Sequence, residues 1–334
     1  MKKIIKINYE DIISIKNLFE AWQEFLPGKK NKPDVAEFAL NLSKNIFDLH
    51  KDLKSFTYIH AGYKAFNISD PKPRNIHKAR VRDRLLHYAI YKILYPYFDK
   101  IFVFDSYSCR VGKGTHRAIN RFRDFGRKVS KNNTKQCWVL KCDIRKFFAS
   151  VDQTILLNIL NKHIEDKEIV WLLERVITSF NSGKEGIGLP LGNLTSQLLV
   201  NIYMNEFDGW MKRVVKEKYY MRYADDFVIL STDKYYLLEL TYKTSEFLEE
   251  NLKLSLHPNK VFIKTLYSGV DFLGWVHFPH HRVLRTATER KMMRNIQAKR
   301  ELGDQEKLEA TVDSYLGMLS WGNGLKLGEK IKSL

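Results

Sequence analysis

The sequence predicts an α+β protein: an antiparallel sheet in the middle of the chain with helices before and after it. Three observations carry that expectation. Apolar, β-prone runs flank the tetrad Tyr223-Ala224-Asp225-Asp226, with Tyr219-Tyr220-Met221 before it and Phe227-Val228-Ile229-Leu230 after it. They read as a tight hairpin with two carboxylates at its tip. A second apolar run, Trp138-Val139-Leu140-Lys141-Cys142-Asp143, reads as a strand that also ends in acid, and the aromatic pair Phe147-Phe148 follows it. The start of the chain carries apolar residues at helical spacing instead, and the tail reads as helical and basic.

Up to about Tyr58, Leu18, Phe19, Trp22, Phe25 and Leu26 share one helical face, and Phe38, Leu42, Ile46 and Leu49 share another, with Pro27-Gly28-Lys29-Lys30 as the break. This part reads as a packing extension. A polar stretch with Pro71 and Pro73 then leads through Lys72, Arg74, His77, Lys78, Arg80, Arg82 and Arg84 into a helix from about Asp83 to Tyr95. So many cations before a helix make either a solvated face or a phosphate-reading surface. In Ser106–Ala118 the glycines Gly112 and Gly114 would let a loop approach a ligand, with Thr115 capping the next helix, but the spacing does not make a P-loop. Helices are expected at Gln153–Lys162 and Lys167–Phe180. The Gly/Pro turn Gly188–Gln197 should open a long apolar helix through Met204 to Phe207 and offer a platform for a base pair or template strand. Beyond the hairpin come a helix from Leu237 to Leu252, a return to strand near Val261, one short strand at Asp271–Val276, and a basic helical tail from Thr286 that includes Arg290, Lys291, Arg294, Lys299 and Arg300.

Composition restricts the partner. Lys and Arg number 56 against 38 Asp and Glu, a formal net charge of +18, which points to a polyanion and first to nucleic acid. The three cysteines, Cys109, Cys137 and Cys142, form no Cys-x-x-Cys pair, so neither a disulfide framework nor a zinc ribbon is indicated. No apolar run is long enough for a membrane span, and the polar start is no signal sequence, so a soluble, cytoplasmic protein with no membrane partner is expected. His277, His280 and His281 lack a carboxylate or cysteine at ligand spacing and read as a solvated turn.

Adjacent carboxylates repel each other, so something cationic should sit at the hairpin tip. A bare Asp-Asp pair is by itself better read as a solvent-facing turn. The second acid-bearing strand changes that balance. Asp143 paired in space with Asp225 and Asp226 is the arrangement a two-metal phosphoryl-transfer site needs, one metal activating a 3′-hydroxyl and the other neutralising the triphosphate leaving group.

Taken in order, these segments resemble the sequence blocks of reverse transcriptases over roughly residues 70–280, and more loosely into the tail. The resemblance implies a right-hand polymerase: an N-terminal helical extension (1–60), fingers (61–135), a palm with an antiparallel sheet (136–280, with finger and palm helices in 153–207) and a helical thumb (281–334). It implies that Asp143 and Asp225 bind two Mg²⁺, with Mn²⁺ as a substitute, helped by the Ile144 carbonyl and supported by Asp226. Lys260 falls where a lysine protonates the pyrophosphate. Phe148 matches the aromatic gate against a ribose 2′-hydroxyl, so the product should be DNA. Lys72, Arg74 and Arg110 match cations on the incoming triphosphate, with Leu191, Gly192 and Gln197 completing the dNTP site. Phe272-Leu273-Gly274-Trp275 resembles the primer grip, and Arg290 and Arg294 would lie along the nucleic acid.

Within the family, Pro190-Leu191-Gly192 with Ser196-Gln197, the stretch Pro71-Lys72-Pro73-Arg74, Arg82-Asp83-Arg84 and the tail at Ser314-Tyr315-Leu316-Gly317 and Trp321-Gly322 are similar to reverse transcriptases of diversity-generating retroelements. That likeness implies a prokaryotic or phage-encoded enzyme making adenine-mutagenic cDNA from a template-repeat RNA. It also implies a DNA primer, dNTPs and a small basic accessory protein, often a pentameric barrel, as partners. A retron, group II-like or antiphage-defence reverse transcriptase would share the palm and differ in the RNA. A catalytically inactive RNA-binding scaffold would use only the basic surface.

Overall fold

The computed structural model of the chain describes residues 6–69 and 73–333. Pro71 and Lys72 lie outside the described residues. In chain order the elements are α1 (Tyr9–Ile13), α2 (Ile15–Phe25), α3 (Pro33–Leu40), α4 (Leu42–Lys54), β1 (Lys64–Ile68), β2 (Arg74–Lys78), α5 (Val81–Ile101), α6 (Thr115–Val129), β3 (Trp138–Asp143), α7 (Phe147–Ser150), α8 (Gln153–Asn161), α9 (Lys167–Ile177) and α10 (Leu194–Gly209). A π-turn at Trp210–Val214 follows, then β4 (Tyr220–Tyr223), β5 (Asp226–Ser231), α11 (Lys234–Leu252), β6 (Phe262–Thr265), β7 (Val270–Phe272), β8 (Trp275–His277), β9 (Arg282–Leu284), α12 (Thr286–Glu301), α13 (Gln305–Leu319) and α14 (Leu325–Lys332). The protein is therefore mixed helix and sheet, and every strand pairing is antiparallel.

The chain divides into two compact units, each assembled from separated segments. The first comprises Met1–Cys109, Ile144–Lys216 and Ser245–His257. Its helices form where the apolar period predicts them. Ser14 ends α1 and opens α2, its hydroxyl accepting from the Asn17 N–H, and Leu18, Ala21, Trp22 and Phe25 bury the face that packs on α5. Asp166 caps α9 through the N–H groups of Glu168 and Ile169.

α5 begins earlier and ends later than the expected Asp83–Tyr95 and runs through Pro96. Proline removes one helical hydrogen bond, but Phe98 and Phe102 beyond it are buried, and their packing outweighs the local loss. Three of the cations expected to form a solvated or phosphate-reading face are paired internally. Lys78 and Arg84 both meet Asp34, the lysine at 2.6 Å, and Arg82 meets Asp52. Asp83 is fully buried and accepts from the Tyr58 hydroxyl at 2.8 Å.

The second unit comprises Arg110–Asp143, Glu217–Thr244 and Pro258–Leu334. A four-stranded sheet in the order β4-β5-β3-β6 lies within it. Burial of Val139, Leu140, Phe227, Val228, Ile229 and Leu230 explains why these strands read as near-continuous apolar runs. A three-stranded sheet, β7-β8-β9, abuts a core of Ile119, Trp275, Leu284, Met292, Ile296, Leu319 and Ile331. The single strand expected at Asp271–Val276 is instead a hairpin. Its turn is Leu273-Gly274, with φ of 52° and 86°, the positive values that a two-residue hairpin loop demands.

Two further expectations are corrected here. Gly114, with φ 95°, is the N-cap of α6, and Thr115 instead donates its hydroxyl proton to the Tyr223 hydroxyl at 3.2 Å. His277 is no part of a solvated turn: it is buried on β8, its Nε2 is 3.2 Å from the Phe272 carbonyl, and burial pushes its pKa down to about 3. His280 and His281 are exposed as expected. Cys137 and Cys142 are buried in and beside β3, and burial pushes both thiols up and out of reactive range. Among the described residues no helix is long and apolar enough to cross a membrane.

Candidate active site

The hairpin β4–β5 closes with the two-residue loop Ala224-Asp225, and Tyr223 faces Asp226 across it. Ala224 takes φ 56°, a conformation that costs a residue with a side chain of order 1 kcal/mol or more. Beneath it Arg222 is fully buried, and its Nη1 donates to the Ala224 carbonyl at 2.9 Å, which holds the loop in place.

On the other side of β5, the register sets Asp143 opposite Asp226. The last residue of β3, the first of β5 and the loop between β4 and β5 thus bring three carboxylates to one end of one sheet. Two lysines join them. Lys260 Nζ lies 2.9 Å from Asp143 Oδ1, and Lys141 Nζ lies 3.3 Å from Asp226 Oδ2.

Asp226 carries the strain of this arrangement. Its side chain is 20% exposed and its Oδ1 is buried with no hydrogen-bond partner. Burial is the largest influence and raises its pKa; Lys141 pulls down, and Asp225 and Asp143 push up, with the outcome near 7. A carboxylate that remains hard to ionise beside a lysine is short of positive charge.

The donor set fits a hard divalent cation by its chemistry: oxygen donors only, mutual repulsion and one unpartnered buried oxygen. It is not a closed cage, since among the described residues no three or more His, Cys, Asp or Glu side chains stand grouped to hold an ion. Lys141 was not singled out by sequence reasoning. Its signal was there, because it stands two residues before Asp143 on the same face of the strand.

A second set of expected residues meets in the first unit. The His77 N–H donates to the Leu191 carbonyl at 3.0 Å, Asn193 Nδ2 donates to the His77 carbonyl at 2.8 Å, and the Leu189 N–H donates to the Phe148 carbonyl at 2.7 Å. These bonds stitch β2, which carries Arg74, and the α7 segment, which carries Phe148, to the turn holding Leu191 and Gly192. Gly192 takes φ 106°, and a Cβ there would come 2.7 Å from Ile76 Cγ2, so only glycine suits the position. Arg74 is exposed, while Phe148, Leu191 and Gln197 are half-buried. Ile144 is buried and forms an isolated bridge with Leu256.

The remaining expected residues are dispersed. Arg110 belongs to the second unit and is partly exposed. Phe272 and Trp275 are core residues, and only the turn Leu273-Gly274 between them is half-open. Arg290 and Arg294 lie exposed on α12, opposite the buried Met292 and Ile296.

Against known proteins, residues 69–277, more than half of the chain, match the family model described as reverse transcriptase (RNA-dependent DNA polymerase). The chain belongs to the reverse transcriptase family. Relatives of this reverse transcriptase include Protein YkfC of Escherichia coli K12, 27% identical over 269 residues, covering 68% of this chain and 67% of YkfC. The Group II intron-encoded protein LtrA of Lactococcus lactis subsp. cremoris is 26% identical over 39% of this chain and 21% of its own length. A Putative COX1/OXI3 intron 2 protein of Saccharomyces cerevisiae is 24% identical over 43% of this chain and 24% of its own. The chain thus spans about two thirds of YkfC but a quarter or less of these two intron proteins.

Proposed function

We propose that this reverse transcriptase is an active RNA-directed DNA polymerase, with Asp143, Asp225 and Asp226 as its catalytic carboxylates in a palm and the basic tail as its thumb. The observation that carries the reading is the register of β3 on β5, which puts Asp143 opposite Asp226 and beside the Asp225 loop. Asp143 and Asp225, with the Ile144 carbonyl, would hold two Mg²⁺, or Mn²⁺ in their place, and Asp226 would support them. The chemistry those ions supply when bound is the ionisation of a 3′-hydroxyl and neutralisation of the leaving pyrophosphate.

The chain's own groups do the rest. Lys260, already hydrogen-bonded to Asp143, holds the proton that the pyrophosphate oxygen takes as it leaves. Lys72, Arg74 and Arg110 bind the triphosphate, Leu191, Gly192 and Gln197 line the nucleotide, Phe272–Trp275 positions the primer strand, and Arg290 and Arg294 contact the phosphate backbone. The test is extension of a DNA primer on an RNA template by the purified chain with Mg²⁺ and dNTPs. No extension overturns the proposal and leaves an RNA-binding scaffold.

Phe148 is assigned to the face of the sugar at C2′, where its ring excludes a hydroxyl. Phe148→Val should raise ribonucleotide incorporation by about 10- to 100-fold relative to deoxynucleotide, the range one filled or emptied contact commands. Single-nucleotide extension with ATP against dATP measures it.

For the RNA it copies, two readings stand on different observations. Leu191 and Gln197 favour a diversity-generating retroelement, with error-prone copying opposite adenine and the accessory protein that accompanies it. The intron proteins among its relatives favour a group II-like enzyme. Leu191 has no amide to hydrogen-bond a nucleotide, so Leu191→Gln should restore ~1–3 kcal/mol of discrimination and lower adenine errors. Sequencing of the cDNA reads the result; an unchanged error spectrum removes position 191 from the explanation.

A further inference from the structure

The second unit contains a cavity of about 380 Å³ whose lining includes Asn120, Arg123, His280, His281, Arg282 and Trp321, none of which is assigned to the carboxylate, nucleotide or primer sites. At its wall Arg282, on β9, is only 8% exposed. Its Nε donates to the Trp321 carbonyl, and its Nη2 donates to Asn120 Oδ1 at 2.9 Å. Its Nη1 is buried with no hydrogen-bond partner. Among the described residues no carboxylate pairs with this guanidinium. Burial, and behind it the like charge of Arg123, lowers its pKa from the ordinary arginine value.

A buried cation without a counter-charge is costly, and a second cation beside it makes the cost larger. Neutral partners have taken the donors that fix the orientation of the fork, and no acid among the cavity's lining neutralises it. That is the condition in which a guanidinium binds an oxyanion. Arg123, exposed on α6, and the exposed His280 and His281 bring further nitrogen donors to the same cavity, and no acidic side chain lines it. A group of high negative charge with several oxygens suits such a set better than a carboxylate does. The volume is larger than one phosphate needs and leaves room for an attached sugar.

We propose that this cavity binds a phosphate group between the guanidinium groups of Arg282 and Arg123. The site is independent of Asp143, Asp225 and Asp226 and stands whether or not they catalyse. The phosphate comes either from a nucleic-acid strand or from a small free phosphate, and the two sources are separable.

The experiment is thermal unfolding of the full chain in millimolar inorganic phosphate at constant ionic strength, repeated with a short single-stranded RNA present. Phosphate should raise the melting temperature of the parent protein. Arg282→Met, which keeps the bulk of the stem, should weaken the apparent affinity by about 10- to 100-fold, the factor carried by one charge-assisted hydrogen bond. Arg123→Gln should weaken it by about tenfold. Lys54→Gln, an equal loss of charge on the exposed end of α4, should leave it unchanged. If Arg282→Met does not fold, Arg123→Gln decides, since that residue is exposed.

Loss of the phosphate effect when RNA is present assigns the site to a strand. Full persistence of the effect with RNA bound assigns it to free phosphate. A parent protein that phosphate does not stabilise, or variants that respond as the parent does, overturns the proposal.

Discussion

Asp225→Asn should lower RNA-templated primer extension by about 10³-fold or more, since several kcal/mol of charge stabilisation disappear with one anionic oxygen donor. The substitution keeps the shape of the side chain and alters only its charge. Asp225 is half-exposed in a two-residue loop whose geometry is held by Arg222 beneath Ala224. The melting temperature should therefore stay within a few degrees of the parent. Steady-state extension and thermal unfolding on the same preparation separate the two effects. An Asp225→Asn protein that extends primers as the parent does would place the chemistry elsewhere.

The second large effect concerns stability and pH. The pKa of Asp226 rises from an ordinary 3.8 to about 7 in the folded protein. Between those values the native state keeps a proton that the unfolded chain releases, so the contribution of Asp226 to stability falls as pH rises from about 4 to about 7. Below that window the carboxyl is neutral in both states and nothing is lost. Above it the full penalty of a buried, crowded anion applies, a few kcal/mol at about 1.4 kcal/mol per pH unit.

Asp226→Asn should accordingly gain stability relative to the parent across that window and match it near pH 4. Denaturant unfolding of both proteins at intervals from pH 4 to 8 gives the difference directly; a difference that is flat, or that favours the parent at pH 8, contradicts the assignment. Mg²⁺ should stabilise the parent at pH 8 and much less at pH 5, where Asp226 holds its proton, because an ion binds a carboxylate and not its protonated form.

The parts of this architecture that depend on local pattern are visible in the amino-acid order. β3 occupies the same six residues, Trp138–Asp143, that the apolar run marks, and α8 and α9 begin where Gln153 and Lys167 suggest. Period and capping settle such elements within one stretch of chain. What depends on register between strands is hidden. Strand spacing puts Lys141 on the face of Asp143, but its contact with Asp226 exists only once β3 and β5 align.

The β7–β8 hairpin escaped for another reason. Leu273-Gly274 is not among the usual turn pairs, and Leu273 adopts a positive φ that its sequence does not advertise. Likewise the pairs Arg82–Asp52 and Arg84–Asp34 join residues far apart in the chain, so a run of cations looked free when tertiary structure had already engaged it. Arg282 belongs to the same class, since only the folded core turns an ordinary surface residue into a buried cation.

The interleaving of the two units has a consequence for biosynthesis. Neither is a continuous piece of polypeptide: one is incomplete until His257 has been added, and the other draws residues from positions 110 to 334. As the ribosome extends the chain, α2 and α3 meet α5 early, but α5 must wait for α10, encoded much later, and no simple cut in the gene yields either half as a self-sufficient fragment.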